Sequence, residues 1–151
     1  MRDMHSNMKV VEALRAATRT ADANGLDVNV QGYESVELVV AVGLSGDTLA
    51  AGLNISIELE ESDDNGSGAP AGYTDVAATD IVGGNGGASG QAILVNDPAE
   101  DETVYRFGYI GTKKWVRVVY NITGTHTNGC PCAVVAVLMN PRHAPVADQK
   151  V

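Results

Sequence analysis

From Leu26 onward, apolar residues recur at every second position in short runs, and glycine-rich turns separate the runs. A period of two is the mark of strands that lay one face on a core, and it excludes a helical fold for most of the chain. The cleanest run sets Leu53, Ile55, Ile57 and Leu59 against Asn54, Ser56, Glu58 and Glu60, one face apolar and one acidic and wet. Val28 and Val30 alternate with Asn29 and Gln31 and end at Gly32. Val36 to Val42 is more continuously apolar and suits a central strand. Weak strand pieces lie within Tyr73 to Val82, and a short strand covers Gln91 to Val95. Between them, Gly83 to Gly90 holds five glycines in eight residues and reads as a flexible surface loop.

The stretch Val104 to Asn140 concentrates the aromatic and sulfur residues: the single Trp, the single Phe, three of five Tyr and both Cys. It reads as three consecutive strands. Tyr105, Phe107 and Tyr109 share a face of the first. Gly111 to Lys114 is expected to be a hairpin turn leading into Trp115 to Ile122. There Val116, Val118, Tyr120 and Ile122 share the core face; Trp115, Arg117, Val119 and Asn121 share the other, which the size of Trp115 and the presence of Val119 mark as partly covered. After a second turn, Gly124 to Gly129, the run Cys132 to Met139 is apolar on both alternations and predicts a strand buried on both faces. The expected fold is therefore all-β: a single β-sandwich or jelly-roll domain over residues 21–143. A short N-terminal arm, residues 1–20, precedes it, and a loose tail, residues 144–151, follows. Within the arm, Val10, Val11, Leu14 and Ala17 stand at helical spacing, which predicts a short amphipathic helix or else an extended, mobile segment.

Charge narrows the possible partners. The chain carries a net charge of −9, with Arg2, Lys9, Arg15 and Arg19 in the arm and then no basic residue until Arg106. Sixteen acids from Asp22 to Glu102 fill that gap. An acidic body repels nucleic acid, whereas a basic arm on it suits an acidic protein surface. No apolar run reaches a membrane span, and the N-terminus lacks an apolar signal core. Catalytic signals are weak. His5, His126 and His143 have no spaced second ligand, and Cys130-Pro131-Cys132 is neither a CxxC redox motif nor a zinc site. Glu61 to Gly68 is acidic but lacks the spacing of a calcium loop. No catalytic residue, metal or cofactor is expected.

The stretch YRFGYIGTKKWVRVVYNITGTHTNG, from Tyr105, together with the closing VVAVLMNPR, resembles small head proteins of tailed bacteriophages. So do the upstream DVNVQGYESVELVV, from Asp27, and the acidic LEESDD, from Leu59 to Asp64. The likeness spans roughly residues 20–143 and is similar to the capsid cement, or decoration, proteins. What the resemblance implies is a structural virion protein rather than an enzyme. It would be made in the host cytoplasm and bound to the capsid exterior, where it would stabilise contacts between major capsid proteins. Its implied partners are the major capsid protein and itself, as homodimer or homotrimer, with no nucleic acid and no membrane. Under that reading Arg2, Lys9, Val10, Val11, Leu14, Arg15 and Arg19 are the expected capsid-binding residues of the arm. Tyr109, Trp115 and Arg117 are the expected subunit contact. Other readings are a tail-tube or head–tail connector component, and a sandwich binding carbohydrate or a host surface through its aromatics.

Overall fold

The computed structural model describes residues 3–146. Eleven strands form two antiparallel sheets: β1 (Met8–Arg19), β2 (Ala23–Asn24), β3 (Val28–Asn29), β4 (Tyr33–Val42), β5 (Asn54–Ser62), β6 (Thr74–Asp75), β7 (Ile81–Gly83), β8 (Gln91–Val95), β9 (Val104–Tyr109), β10 (Trp115–Thr123) and β11 (Cys130–Pro141). The only helical pieces among the described residues are single 3-10 turns at His5–Asn7 and Ala78–Asp80. The first sheet runs β1-β11-β4-β9-β7. The second is built on the pair β10-β5, with β2 and β3 along the free side of β10 and β6 and β8 along the free side of β5. This is a β-sandwich, as the alternating runs predict.

Alternation does place the core. Leu38, Val40, Phe107, Val134 and Leu138 of the first sheet, and Ile55, Ile57, Leu59, Val118 and Tyr120 of the second, belong to one buried cluster. β4 lies between β11 and β9, the central position that its apolar run suggests.

Two expectations are corrected. First, residues 8–19 are neither a helix nor a free arm; they are the edge strand β1, hydrogen-bonded along β11. Val11, Leu14 and Ala17 stand opposite Ala136, Val134 and Cys132, so a step of three on β1 matches a step of two on β11. Each mismatch is a register shift that adds one residue to β1. Two bulges thus turn a strand's period of two into a spacing that imitates one helix face. The domain boundary expected near residue 20 disappears, because Ala13 and Leu14 are core residues. Second, Gly111 to Lys114 is not a hairpin turn. β9 belongs to the first sheet and β10 to the second, so the chain crosses the sandwich there, and it crosses back between β10 and β11.

Specific contacts hold these crossings. Asp47, between β4 and β5, accepts the backbone N–H groups of Gly129 (2.8 Å), Asn128 (3.0 Å) and Thr127 (3.2 Å) at the mouth of β11. Those bonds, the Gly129 one first, hold the Asp47 carboxyl below the ordinary carboxylate range. Gly129 has φ 75°, and a Cβ there would lie 2.5 Å from the Arg19 carbonyl oxygen. The other close approach is at Gly25, where a Cβ would sit 2.2 Å from the Ala13 oxygen and 2.8 Å from the Val118 oxygen. Gly25 N–H bonds Val118 O at 2.7 Å and Leu26 N–H bonds Ala13 O at 2.8 Å, which stitches edge strand β1 to β10 across the sandwich. The Gly83 to Gly90 loop is also anchored: Asn85 accepts Leu94 N–H at 2.8 Å and donates to Leu94 O at 2.7 Å.

Because Leu14 is only 2% exposed, Leu14→Ala should cost about 2–5 kcal/mol in a denaturant titration. A mobile arm would give no change.

Candidate functional site

Trp115 and Arg117 lie on the outer face of β10, where the segment after β5 folds back over it, and Tyr109 lies at the same end of the sandwich on the core side. Arg117 stands opposite Glu60 in the β10-β5 ladder. Its Nε donates to Glu60 Oε2 at 2.9 Å, and Nη2 binds the same oxygen. Its guanidinium lies 4.1 Å from the centre of the Tyr73 ring. Tyr73 in turn donates its hydroxyl to Asp27 at 2.8 Å. Burial and the Asp27 carboxylate push the Tyr73 phenol well above its ordinary value. Trp115 Nε1 reaches Asp64 Oδ2 at 3.5 Å, and Lys114 pairs with that same carboxylate. Lys113 pairs with Asp63 at 2.6 Å. Tyr109 is 5% exposed; its hydroxyl donates to Glu61 at 2.6 Å and accepts the Lys113 N–H at 3.0 Å.

The covering that the size of Trp115 suggests comes, at these residues, from the chain itself. Residues 63–73 form the lid, and buried Ser62 pins it by accepting the N–H groups of Ala71 and Gly72, both at 3.0 Å. Tyr109, buried and doubly hydrogen-bonded, offers no surface to a second subunit. Arg117 presents a guanidinium already occupied by Glu60 and Tyr73. The oxygens that gave Glu61 to Gly68 its calcium-like look are engaged by Lys113, Lys114 and Tyr109. Chemically this is a clasp in which Glu60, Glu61, Asp63 and Asp64 each meet a cationic or hydroxyl partner.

The arm residues are scattered rather than gathered. Leu14 lies in the core and Val11 packs against it, so neither is available for docking in the folded chain; β1 uses them to seal the sheet edge. Arg19 donates to the carbonyl oxygens of Cys132 at 2.9 Å and Ala17 at 3.2 Å, and lies 5.7 Å from the Tyr120 ring centre. Lys9 and Val10 are half-buried, and Arg15 is exposed, 3.7 Å from Glu12. Arg2 lies outside the described residues, as do residues 147–151 of the tail; Val146 N–H bonds the Ser6 carbonyl at 2.9 Å.

Both cysteines and His126 are buried inside the sandwich. Cys130 and Cys132 are free thiols at 0% and 3% exposure. Burial pushes Cys130 up to about 11 and Cys132 up to about 12, so neither is a thiolate at neutral pH. His126 is buried, with Nε2 3.3 Å from the Asn54 carbonyl and Nδ1 3.8 Å from Asp47. No group of three or more His, Cys, Asp or Glu side chains gathers around a common point among the described residues.

The surface that reading by pattern missed is the outer face of the first sheet. Ala133, Val135, Val137 and Met139 of β11 point away from the core, and none is buried by this chain. Val135 is 37% exposed and Val104, two strands away, is 68% exposed. The strand expected to be buried on both faces is buried on one. The signal was present in its doubly apolar pattern, which does not say whether this chain or another supplies the cover.

No protein-family model matches the chain, and no curated protein sequence matches it significantly. Two solved structures are similar to it. One is the SPBc2 prophage-derived protein YomS, at 14% identity over 87% of this chain and 92% of that one, with a TM-score of 0.38. The other is the infectious bursal disease virus Gx strain, at 12% identity over 91% of this chain and 33% of that one, with a TM-score of 0.30. Neither likeness is deep enough to transfer a role.

The single Trp makes the clasp measurable. Lys114, then the Gly66 and Gly68 N–H groups, lower the Asp64 carboxyl from 3.8 to about 2. A carboxylate depressed in this way stabilises the docked lid fully above about pH 3.8 and loses that contribution as pH falls through about 2. Trp115 emission should therefore shift with a midpoint closer to pH 2 than to pH 4. Asp64→Asn should remove that step while circular dichroism shows the sheets intact. The thiols supply a second check. Both cysteines should resist a thiol-specific reagent at pH 8 in the native protein and react together on unfolding.

Proposed function

We propose that the chain is a structural protein of a tailed-phage virion: a cement subunit that binds the outside of the head and ties neighbouring major capsid proteins together. One observation carries the reading. The polar and ionisable side chains at the aromatic end of the sandwich are closed on one another, while the first sheet leaves open a broad apolar face. A rigid body of that kind is equipped to hold surfaces together rather than to transform a small molecule. Phe107, Tyr109 and Tyr120 are core residues and Tyr73 is stacked on Arg117, which leaves little aromatic platform for a sugar. The resemblance of residues 20–143 to cement proteins supports the same reading, and the net charge of −9 disfavours a nucleic-acid partner.

In this proposal the shell-facing contacts come from Lys9 and Arg15 on the edge strand, together with Arg2. Each contact is weak and solvent-screened, but repeated sites on a symmetric shell and an oligomeric cement turn weak contacts into strong retention. Cement of this type resists the outward pressure of packaged DNA by adding buried area across seams.

The test is biochemical. Purified virions of the parent phage should contain the chain in a fixed, symmetry-related ratio to the major capsid protein. Heads lacking it should break at lower temperature, and adding the purified protein back should restore them. Lys9→Glu combined with Arg15→Glu should weaken that rebinding about tenfold or more, increasingly so at low salt. A chain found only in tails, or in the few copies of a single ring, would overturn the reading.

A further inference from the structure

We propose that the outer face of the first sheet is the contact surface of a homodimer whose two-fold axis runs parallel to the strands, between β11 and β4. This goes beyond the virion reading and stands without it.

The backbone register sets the argument. Glu12 pairs with Val135, Val135 with Val39, and Val39 with Arg106, so the four residues form one transverse row. Directly paired residues point to the same side of a sheet. All four are outside the core: Arg106 and Glu12 are the solvent-exposed ends, and the valines lie between them. Read across β1, β11, β4 and β9, the row is acid, valine, valine, base. A half-turn about an axis along the strands exchanges β1 with the partner's β9, and β11 with the partner's β4. Glu12 of one copy then faces Arg106 of the other, twice, and Val135 faces Val39 twice. In the next row Ala133 pairs with Ala41, and the same rotation sets these small residues opposite each other, which lets the two sheets approach closely. A face that complements itself under one rotation is what a two-fold interface requires.

The local charge pattern fits a second copy as the occupant. Around the row, Glu12 and Glu37 are balanced by Arg15 and Arg106, whereas the whole chain carries −9. Two copies can therefore meet on this face without setting like charge against like charge at the contact itself. Glu37 enters the contact already paired, 3.3 Å from Arg106, and a guanidinium has donors for both that carboxylate and a partner's Glu12. The doubly apolar pattern of β11 is then accounted for, with one side covered by the sandwich and the other by the copy. The four strands that face one another under this rotation, at about 4.8 Å spacing and over a ladder of about eight residues at about 3.3 Å, give a face of roughly 500 Å² per copy. That is the low end for a specific dimer, the size class of weak, reversible contacts.

The experiment is analytical ultracentrifugation of the free 151-residue chain over about 1–100 µM, a range that brackets weak dimerisation. Wild type should move from monomer to dimer. Glu12→Arg sets Arg against Arg106 at both ends and should raise the dissociation constant at least about tenfold; Arg106→Glu should do the same by setting Glu against Glu12. Mixed in equal amounts, the two variants should associate with each other, because every facing pair is then opposite in charge. Val135→Arg should give monomer at all concentrations. Circular dichroism and melting of each variant check folding, and the two charge variants sit at exposed positions that the core does not need. A wild type that stays monomeric throughout, forms a trimer, or keeps its dimer in Val135→Arg would overturn the proposal. So would charge variants that ignore each other on mixing, or a face that is covered only when the chain sits on a phage shell.

Discussion

The first sheet depends on β11 being held from both sides. β11 pairs with β4 from Cys132 to Pro141 and with β1 from Cys130 to Met139, and it is the only bridge between those two strands. Its inward side chains, Cys130, Cys132, Val134, Ala136 and Leu138, are all at most 3% exposed and form one wall of the core. Remove its register and β1 has no partner in the sheet, the Gly25 stitch to β10 has nothing to anchor, and the Asp47 clasp at Gly129 has no strand to open. The cysteines fit this role as small apolar side chains on the inner face, where their bulk and not their chemistry matters.

Much of this architecture is legible in the residues, and the places where it is not have physical causes. Leu53 to Leu59 and Val36 to Val42 report their strands because a regular ladder preserves the period of two. Met8 to Arg19 misreports because two bulges insert a residue each, and local periodicity carries no mark of a bulge. Gly111 to Lys114 has the composition of a hairpin turn, but partner choice is not local. The Tyr109 hydroxyl, reaching Glu61 in the other sheet and Lys113 in the turn, helps carry the chain across the sandwich. The glycine loop at residues 83–90 looks unstructured by composition, yet the Asn85 side-chain amide ties it to the Leu94 backbone by two hydrogen bonds.

The candidate site was legible by residue and not by role. Trp115 and Arg117 do mark a half-covered face. Their cover is Tyr73, Asp64 and the intervening lid, which lie 44 to 51 residues away in the chain, and pattern alone does not join such distant segments. The outward half of β11 is the mirror case. Its apolar residues announce a covered surface, and only the folded chain shows that this chain does not bury it.

The crossings also bear on when the molecule can fold. Because β9, β10 and β11 alternate between sheets, the C-terminal third contains no self-sufficient hairpin. Of the eleven strands, the one between β1 and β4 is also the last to leave the ribosome. Until it emerges, the first strand waits without its partner, and its apolar residues must be kept from other chains. Folding therefore waits for β11 and is dominated by contacts distant in sequence, slow by the standards of small domains. That places the aggregation hazard in the interval before the final strand arrives.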